Sequence, residues 1–122
     1  MAASAPPIRQ LIQSYAAGGF RIAGTRHEGS VLVLPERTLA WPVAAPEQVT
    51  AESLAPIAAA EPAVEILLLG LGPRFATVAA ELRSELRAAG IVVEAMDTAA
   101  ACRTYNLLAS EDRRVAAALI AL

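Results

Sequence analysis

The chain contains no lysine: its ten basic residues are all arginine, set against 12 acidic residues for a formal net charge of −2 over 122 residues. Without a positive excess there is little to displace counterions from a phosphate backbone, so no nucleic-acid partner is expected. The single cysteine, Cys102, cannot form an internal disulfide and suits a reducing compartment. The single histidine, His27, cannot supply the usual multi-histidine metal site, so no metal and no other cofactor is expected. Aromatic residues make up only 4%, which leaves the core to Leu, Ile and Val. The longest apolar stretches, residues 66–71 and 115–122, are too short to span a bilayer. The opening MAASAPPIRQ has no charged region followed by an apolar one. A cytoplasmic protein that is not an integral membrane protein is the expectation.

What is present is alanine and patterned aliphatics. Hydrophobic residues reach 56%, a share inflated by alanine, and the length suits one domain. Residues 1–18, with Pro6, Pro7 and Gly18-Gly19, read as a partly loose N-terminal segment, although Ile8, Leu11 and Ile12 have helical spacing. Residues 19–122 read as a single α/β domain. Three strand-like segments come first: 20–26, the wholly apolar 31–34 and 38–43, with Glu28-Gly29-Ser30 as a tight turn and Pro42 limiting the third to an edge or an end. Thr50 can cap a short helix toward Pro56, with Leu54 and Ile57 inward. Residues 64–69 form a continuous apolar strand. An amphipathic helix carrying Phe75, Val78, Leu82 and Leu86 on one face follows, closed by Gly90. Residues 91–96 form the next strand. The pattern then predicts a helix from Thr98 to about Leu108, and a last one from Ser110 with Val115, Leu119 and Leu122 inward. A β-α-β unit over residues 64–96 requires parallel pairing, while short turns make the opening strands antiparallel. The fold class is therefore α/β: a mixed sheet of about five strands with helices packed on it.

No Ser-His-Asp set or close carboxylate pair stands out, and nothing brings His27 to Cys102, so the thiol reads as a small buried group. One ligand-binding hypothesis does emerge. Gly70-Leu71-Gly72-Pro73-Arg74 sits where a buried strand hands over to a helix, the place where α/β sheets bind ligands and where free amides favour an anion. It lacks the third glycine of a dinucleotide fingerprint and the lysine of a P-loop, so a tight packing turn is the plainer reading. Asp97 ends the neighbouring strand, where it can cap the next helix and would repel an anion. Arg103, Tyr105 and Asn106, with Glu111, Arg113 and Arg114, make a polar cluster in an alanine-rich region. They can join helices, line a pocket or face a partner. The candidate ligand-binding residues are thus Gly70, Gly72, Arg74, Asp97, Arg103, Tyr105 and Asn106. Trp41 reads as a core anchor or an exposed binding residue.

The run Met96-Asp97-Thr98-Ala99-Ala100-Ala101-Cys102-Arg103-Thr104-Tyr105-Asn106-Leu107-Leu108 and its continuation Glu111-Asp112-Arg113-Arg114-Val115-Ala116-Ala117-Ala118-Leu119 carry a resemblance. With Gly70-Leu71-Gly72 and the strands around Gly29 and Ser30, they resemble a small domain of unknown function found in many bacteria and archaea. Its eukaryotic relatives include mitochondrial complex I assembly factor 3 and an adipogenesis-associated protein. The resemblance covers about residues 19–122. It implies a three-layer α/β fold with a central mixed sheet, and action through protein contacts without an established catalytic activity. Asp112 departs from the commoner pattern, which has glycine there. The expected function is that of a non-catalytic binding or assembly-assisting protein with unidentified protein partners, in biogenesis of a membrane or respiratory complex, as a monomer or weak homodimer. The alternative is a small-molecule domain or enzyme that binds an anion in the cleft at Gly70–Arg74.

Overall fold

Residues 9–122 are described by a computed structural model, and expectations for residues 1–8, including helical spacing at Ile8, lie outside the described residues. In chain order the strands are β1 (Ile12–Ser14), β2 (Gly19–Ile22), β3 (Thr25–Glu28), β4 (Val31–Val33), β5 (Thr38–Ala40), β6 (Ile66–Gly70), β7 (Val92–Met96) and β8 (Val115–Leu119). The α-helices are α1 (Ala55–Ala58), α2 (Ala80–Ala88) and α3 (Thr98–Ser110). Five strands form a mixed sheet in the order β5-β4-β8-β6-β7. β6 runs parallel to both β7 and β8, and β8 is antiparallel to β4. β1, β2 and β3 make a second, antiparallel sheet.

The alternation along each strand sorts the core onto two faces. Leu67, Leu69, Ala116, Ala118 and Val93 pack with Leu82 and Leu86 of α2 and with Leu54 and Ile57 from the segment between β5 and β6. Leu68, Ala117, Leu119, Val31 and Val33 pack with Ala101, Cys102 and Tyr105 of α3 and with Phe20 and Ile22 of the small sheet. Two layers thus cover the two sides of the central sheet, as expected of strands that read as unbroken apolar runs. Trp41 is a core residue, 3% exposed, whose indole Nε1 donates to the Ser53 carbonyl at 3.0 Å.

Three expectations need correction. The chain after Ser110 does not form a helix: Val115–Leu119 is β8, a central strand buried at every position. A five-residue apolar run does not distinguish a buried helix from a buried strand, and alanine tips the reading toward helix although packing decides. Residues 20–26 are not one strand but the hairpin β2–β3, with Ile22 opposite Thr25 and a two-residue loop at Ala23 and Gly24. Both loop residues have positive φ, +49° and +83°, the geometry that Asn-Gly would have announced and Ala-Gly conceals. Consequently Gly29-Ser30 links two different sheets, and Leu11-Ile12, read as helical in spacing, enters β1. Helix α2 begins at Ala80, not near Phe75; residues 73–79 are irregular and Phe75 is 69% exposed. The short helix expected toward Pro56 is present as a 3-10 turn, Glu52–Leu54, followed by the single turn of α1, with Thr50 Oγ1 accepting from the Ser53 amide at 3.1 Å and Leu54 and Ile57 fully buried.

Asp112 shows why glycine suits its place. It turns the chain from α3 into β8 with φ +59°, in the left-handed region where aspartate is tolerated better than most residues. Ala23 occupies the same region without a polar side chain to help. Ala23→Asn should therefore stabilise the fold by about 1 kcal/mol, raising the melting temperature by roughly 2–5 °C. A calorimetric melt that shows no rise would argue against strain at this turn.

Candidate functional site

The C-terminal end of β6 is where the sequence placed its ligand hypothesis. Gly70 is buried there against α3: a β carbon would lie 2.9 Å from Leu119 Cδ2, 3.0 Å from Thr98 Cα and 3.2 Å from Ala101 Cβ. The glycine therefore serves close approach of helix and strand. Gly72 has φ +102°. Backbone groups of residues 70–72 are engaged inside the protein. The Gly70 carbonyl accepts from the Ile120 amide at 2.8 Å, the Leu71 amide donates to the Met96 carbonyl at 2.9 Å, and the Gly72 carbonyl accepts from the Thr98 amide at 2.8 Å. The Gly72 amide donates to Thr98 Oγ1 at 2.9 Å, and that hydroxyl donates onward to the Ile120 carbonyl at 2.8 Å. An anion cradle needs free amides, and no helix begins at this turn to add more.

The other candidates fall into separate roles. Asp97 caps α3, its Oδ1 accepting from the Ala100 amide at 2.9 Å. Arg74 is exposed and makes no hydrogen bond or ion pair among the described residues. Arg103 is exposed and reaches Tyr15 Oη at a long 3.5 Å. Asn106 grips β1: its Oδ1 accepts from the Ile12 amide and its Nδ2 donates to the Ile12 carbonyl, each at 2.8 Å. It pairs with one backbone residue as another strand would, so it docks the small sheet on α3. Tyr105 is 1% exposed, and burial pushes its phenol well above the ordinary value, with the Arg9 guanidinium pulling the other way. Gly70, Gly72 and Asp97 thus gather around the start of α3. Tyr105 and Asn106 lie about two turns further along it, and Arg74 and Arg103 stand apart on the surface.

Cys102 is buried between helix and sheet. Burial pushes its thiol up to about 12, with the nearby Arg103 charge opposing and Asp97 adding. A thiol held protonated in this way is a poor nucleophile. Among the described residues no three His, Cys, Asp or Glu side chains are grouped to hold a metal ion, and no helix is long and apolar enough to cross a membrane.

Sequence reasoning missed three features. The first is Thr98, fully buried, whose hydroxyl joins the glycine turn to the end of β8; the sequence pattern marks it only as the start of a helix. The second is a largely apolar groove of about 530 Å³ between α3 and the edge strand β7, lined by Ile66, Leu68, Val92, Met96 and Leu108 together with Glu94, Thr104 and Arg113. Val92 in this lining is 48% exposed. The edge itself is partly closed, because Arg83 Nη1 donates to the Val93 carbonyl at 2.8 Å. The third is a small recess where Arg9 meets Tyr105 and the Arg113-Arg114 pair. Tyr105 and the arginine pair had a signal in the sequence as members of one polar cluster; the rest depends on which segments the fold brings together.

A mixed sheet with α2 on one face, and α3 with a small antiparallel sheet on the other, defines a three-layer α/β domain. The chain belongs to the family described as protein of unknown function DUF498/DUF598, which it matches over residues 12–120. It is similar to the NADH dehydrogenase (ubiquinone) 1 alpha subcomplex assembly factor 3 of Danio rerio, 44% identical over 110 residues that make up 90% of this chain and 63% of that protein. The chain therefore spans less than two thirds of that relative. An uncharacterized protein of Rhodobacter capsulatus is 40% identical over 109 residues, 89% of this chain and 82% of its own. Among solved structures, a Mth938-like domain from Bordetella pertussis superposes with a TM-score of 0.81 at 31% identity, covering 99% of this chain and 91% of that one.

Two outcomes follow for the core of this region. Thr98→Val keeps the shape but strips the Gly72 amide and the Ile120 carbonyl of their shared partner, and should destabilise by roughly 2–4 kcal/mol, whereas Thr98→Ser should cost much less. Equal losses for the two variants in denaturant titrations would remove the hydroxyl from this role. Cys102 should react with a thiol reagent at pH 8 about a thousandfold more slowly in the native protein than in denaturant, from the thiolate fractions at about 12 and at the ordinary 9.0. Comparable rates would show that the thiol is open to solvent.

Proposed function

We propose that this chain is a non-catalytic, cytoplasmic binding protein that assists assembly of a respiratory complex of the NADH dehydrogenase kind. The observation that carries this reading is its 44% identity, over 90% of its length, to a protein named as an assembly factor for that complex. The apolar groove between α3 and β7 supports it. An exposed apolar side chain such as Val92, on an edge strand and clear of the core, is what a folding intermediate of a larger complex can be held by. The occupant we assign to the groove is an apolar segment of a complex subunit before its final burial. Nothing in this reading requires a reaction: the buried thiol is protonated and the amides of the glycine turn are engaged within the fold.

In cells that encode the chain, deleting its gene should lower the amount of assembled complex on native gels and raise partly assembled forms. Wild-type protein should restore assembly, and the variant Val92→Asp, at an exposed position in the groove lining, should fold normally and fail to do so. Normal assembly in the deletion strain would overturn the reading. Full rescue by Val92→Asp would overturn the assignment of the groove.

A further inference from the structure

The recess beside Tyr105 has the chemistry of an anion site that the glycine turn lacks. It has a volume of about 200 Å³, and its polar lining comes from Arg9, Tyr105, Asp112, Arg113 and Arg114; the rest is proline, alanine and valine. Three guanidinium groups against one carboxylate leave the lining positive, on a chain whose net charge is −2. Arg9 Nη2 is held by Asp112 Oδ1 at 2.7 Å, with side chains 47% and 81% exposed. Arg114 pairs with Glu65, also at the surface. Arg113 has no ion pair and no side-chain hydrogen bond among the described residues.

Tyr105 supplies the second, independent observation. Its side chain is buried to 1% exposure, yet its hydroxyl has no hydrogen-bond partner among the described residues. No side-chain oxygen or nitrogen there is both sealed from solvent and unpaired, so the hydroxyl must be the point at which Tyr105 opens into the recess it lines. A buried phenol normally finds an acceptor. Here the acceptor has to enter from outside, at a place where arginines converge. Because burial favours the neutral phenol, the group is a donor at every working pH.

We propose that this recess binds an oxyanion head group, a carboxylate or a phosphate, which accepts from the Tyr105 hydroxyl and is held by Arg113 with Arg9 and Arg114. The volume fits the head group and not a whole drug-sized ligand, so the anion is either a small free species or the acidic end or side chain of a peptide. Guanidinium groups match both oxyanions. The Arg9–Asp112 pair can open for the ligand at little cost, because an exposed ion pair contributes little. This site lies away from the glycine turn and stands whether or not the chain assists assembly.

The test is titration of the full chain, followed by amide and arginine side-chain NMR, with inorganic phosphate, with succinate and with a short peptide rich in glutamate, each matched in ionic strength by sodium chloride. Saturable shifts at residues 112–115 and at the Arg9 side chain are expected for at least one probe. Binding of phosphate or succinate alone assigns a small free anion, and binding of the peptide alone assigns an acidic segment. Tyr105→Phe should weaken binding by about fivefold, the range of one hydrogen bond, and the exposed Arg113→Gln by about tenfold or more with no change in fold. Shifts no larger than those from sodium chloride for every probe would overturn the proposal. So would unchanged affinity in Arg113→Gln, which stays informative even if Tyr105→Phe fails to fold.

Discussion

Helix α3 lies against the sheet at nearly backbone-to-backbone distance, and most of the molecule is arranged to allow it. Gly70 has no room for a β carbon between Leu119, Thr98 and Ala101. The same pressure accounts for alanine at 116, 117 and 118 in β8 and at 101 in α3, all fully buried. Alanine buries little area per residue, so stability on this face comes from fit more than from bulk. Close approach also shuts water out, and every polar group caught there needs a partner. Thr98 meets that need with one hydroxyl that accepts from Gly72 and donates to Ile120. The end of β6, the start of α3 and the end of β8 are thereby joined at one oxygen.

The features legible in the sequence are those in which local pattern and tertiary role agree. β6 reads as an apolar run because both its faces are covered, whereas β7 buries Val93 on one face and leaves Val92 and Glu94 exposed on the other. Asp97 read as a capping residue because a carboxylate just ahead of a helix finds free amides wherever the helix packs. β8 was illegible for the reason that makes α3 fit: alanines chosen for their small size carry a helical propensity that the packing overrides. The β2–β3 hairpin was hidden because alanine occupies a left-handed position that asparagine would have marked. The start of α2 was placed too early because Phe75 and Val78 have helical spacing with Leu82 and Leu86, while the chain after Pro73 first runs irregularly to Ala80.

The polar residues of α3 were legible as a cluster but not as roles. Tyr105 and Asn106 are neighbours in sequence and point to different tasks. Asn106 satisfies both backbone groups of Ile12, which required knowing that the N-terminal segment folds back as β1. Tyr105 meets Arg9 for the same reason. No spacing within residues 97–114 encodes a partner about a hundred positions away, so the recess exists only once β1 is docked. The glycine turn illustrates the reverse: its motif was visible, and its amides are drawn inward by Thr98 and Met96.

Arg113 borders both the apolar groove along β7 and the recess at Tyr105. Its charge is therefore common to two surfaces of different character. An anion in the recess would neutralise part of the charge that a segment in the groove meets at its border. A segment carrying an acidic residue at that end would compete for the same guanidinium. Either way occupancy of one surface changes the affinity of the other, and by linkage the effect is equal in both directions. The sign depends on the charge of the segment: a neutral or basic one gains from a filled recess, and an acidic one loses. Measuring groove binding with and without saturating anion would thus report the charge of the physiological segment.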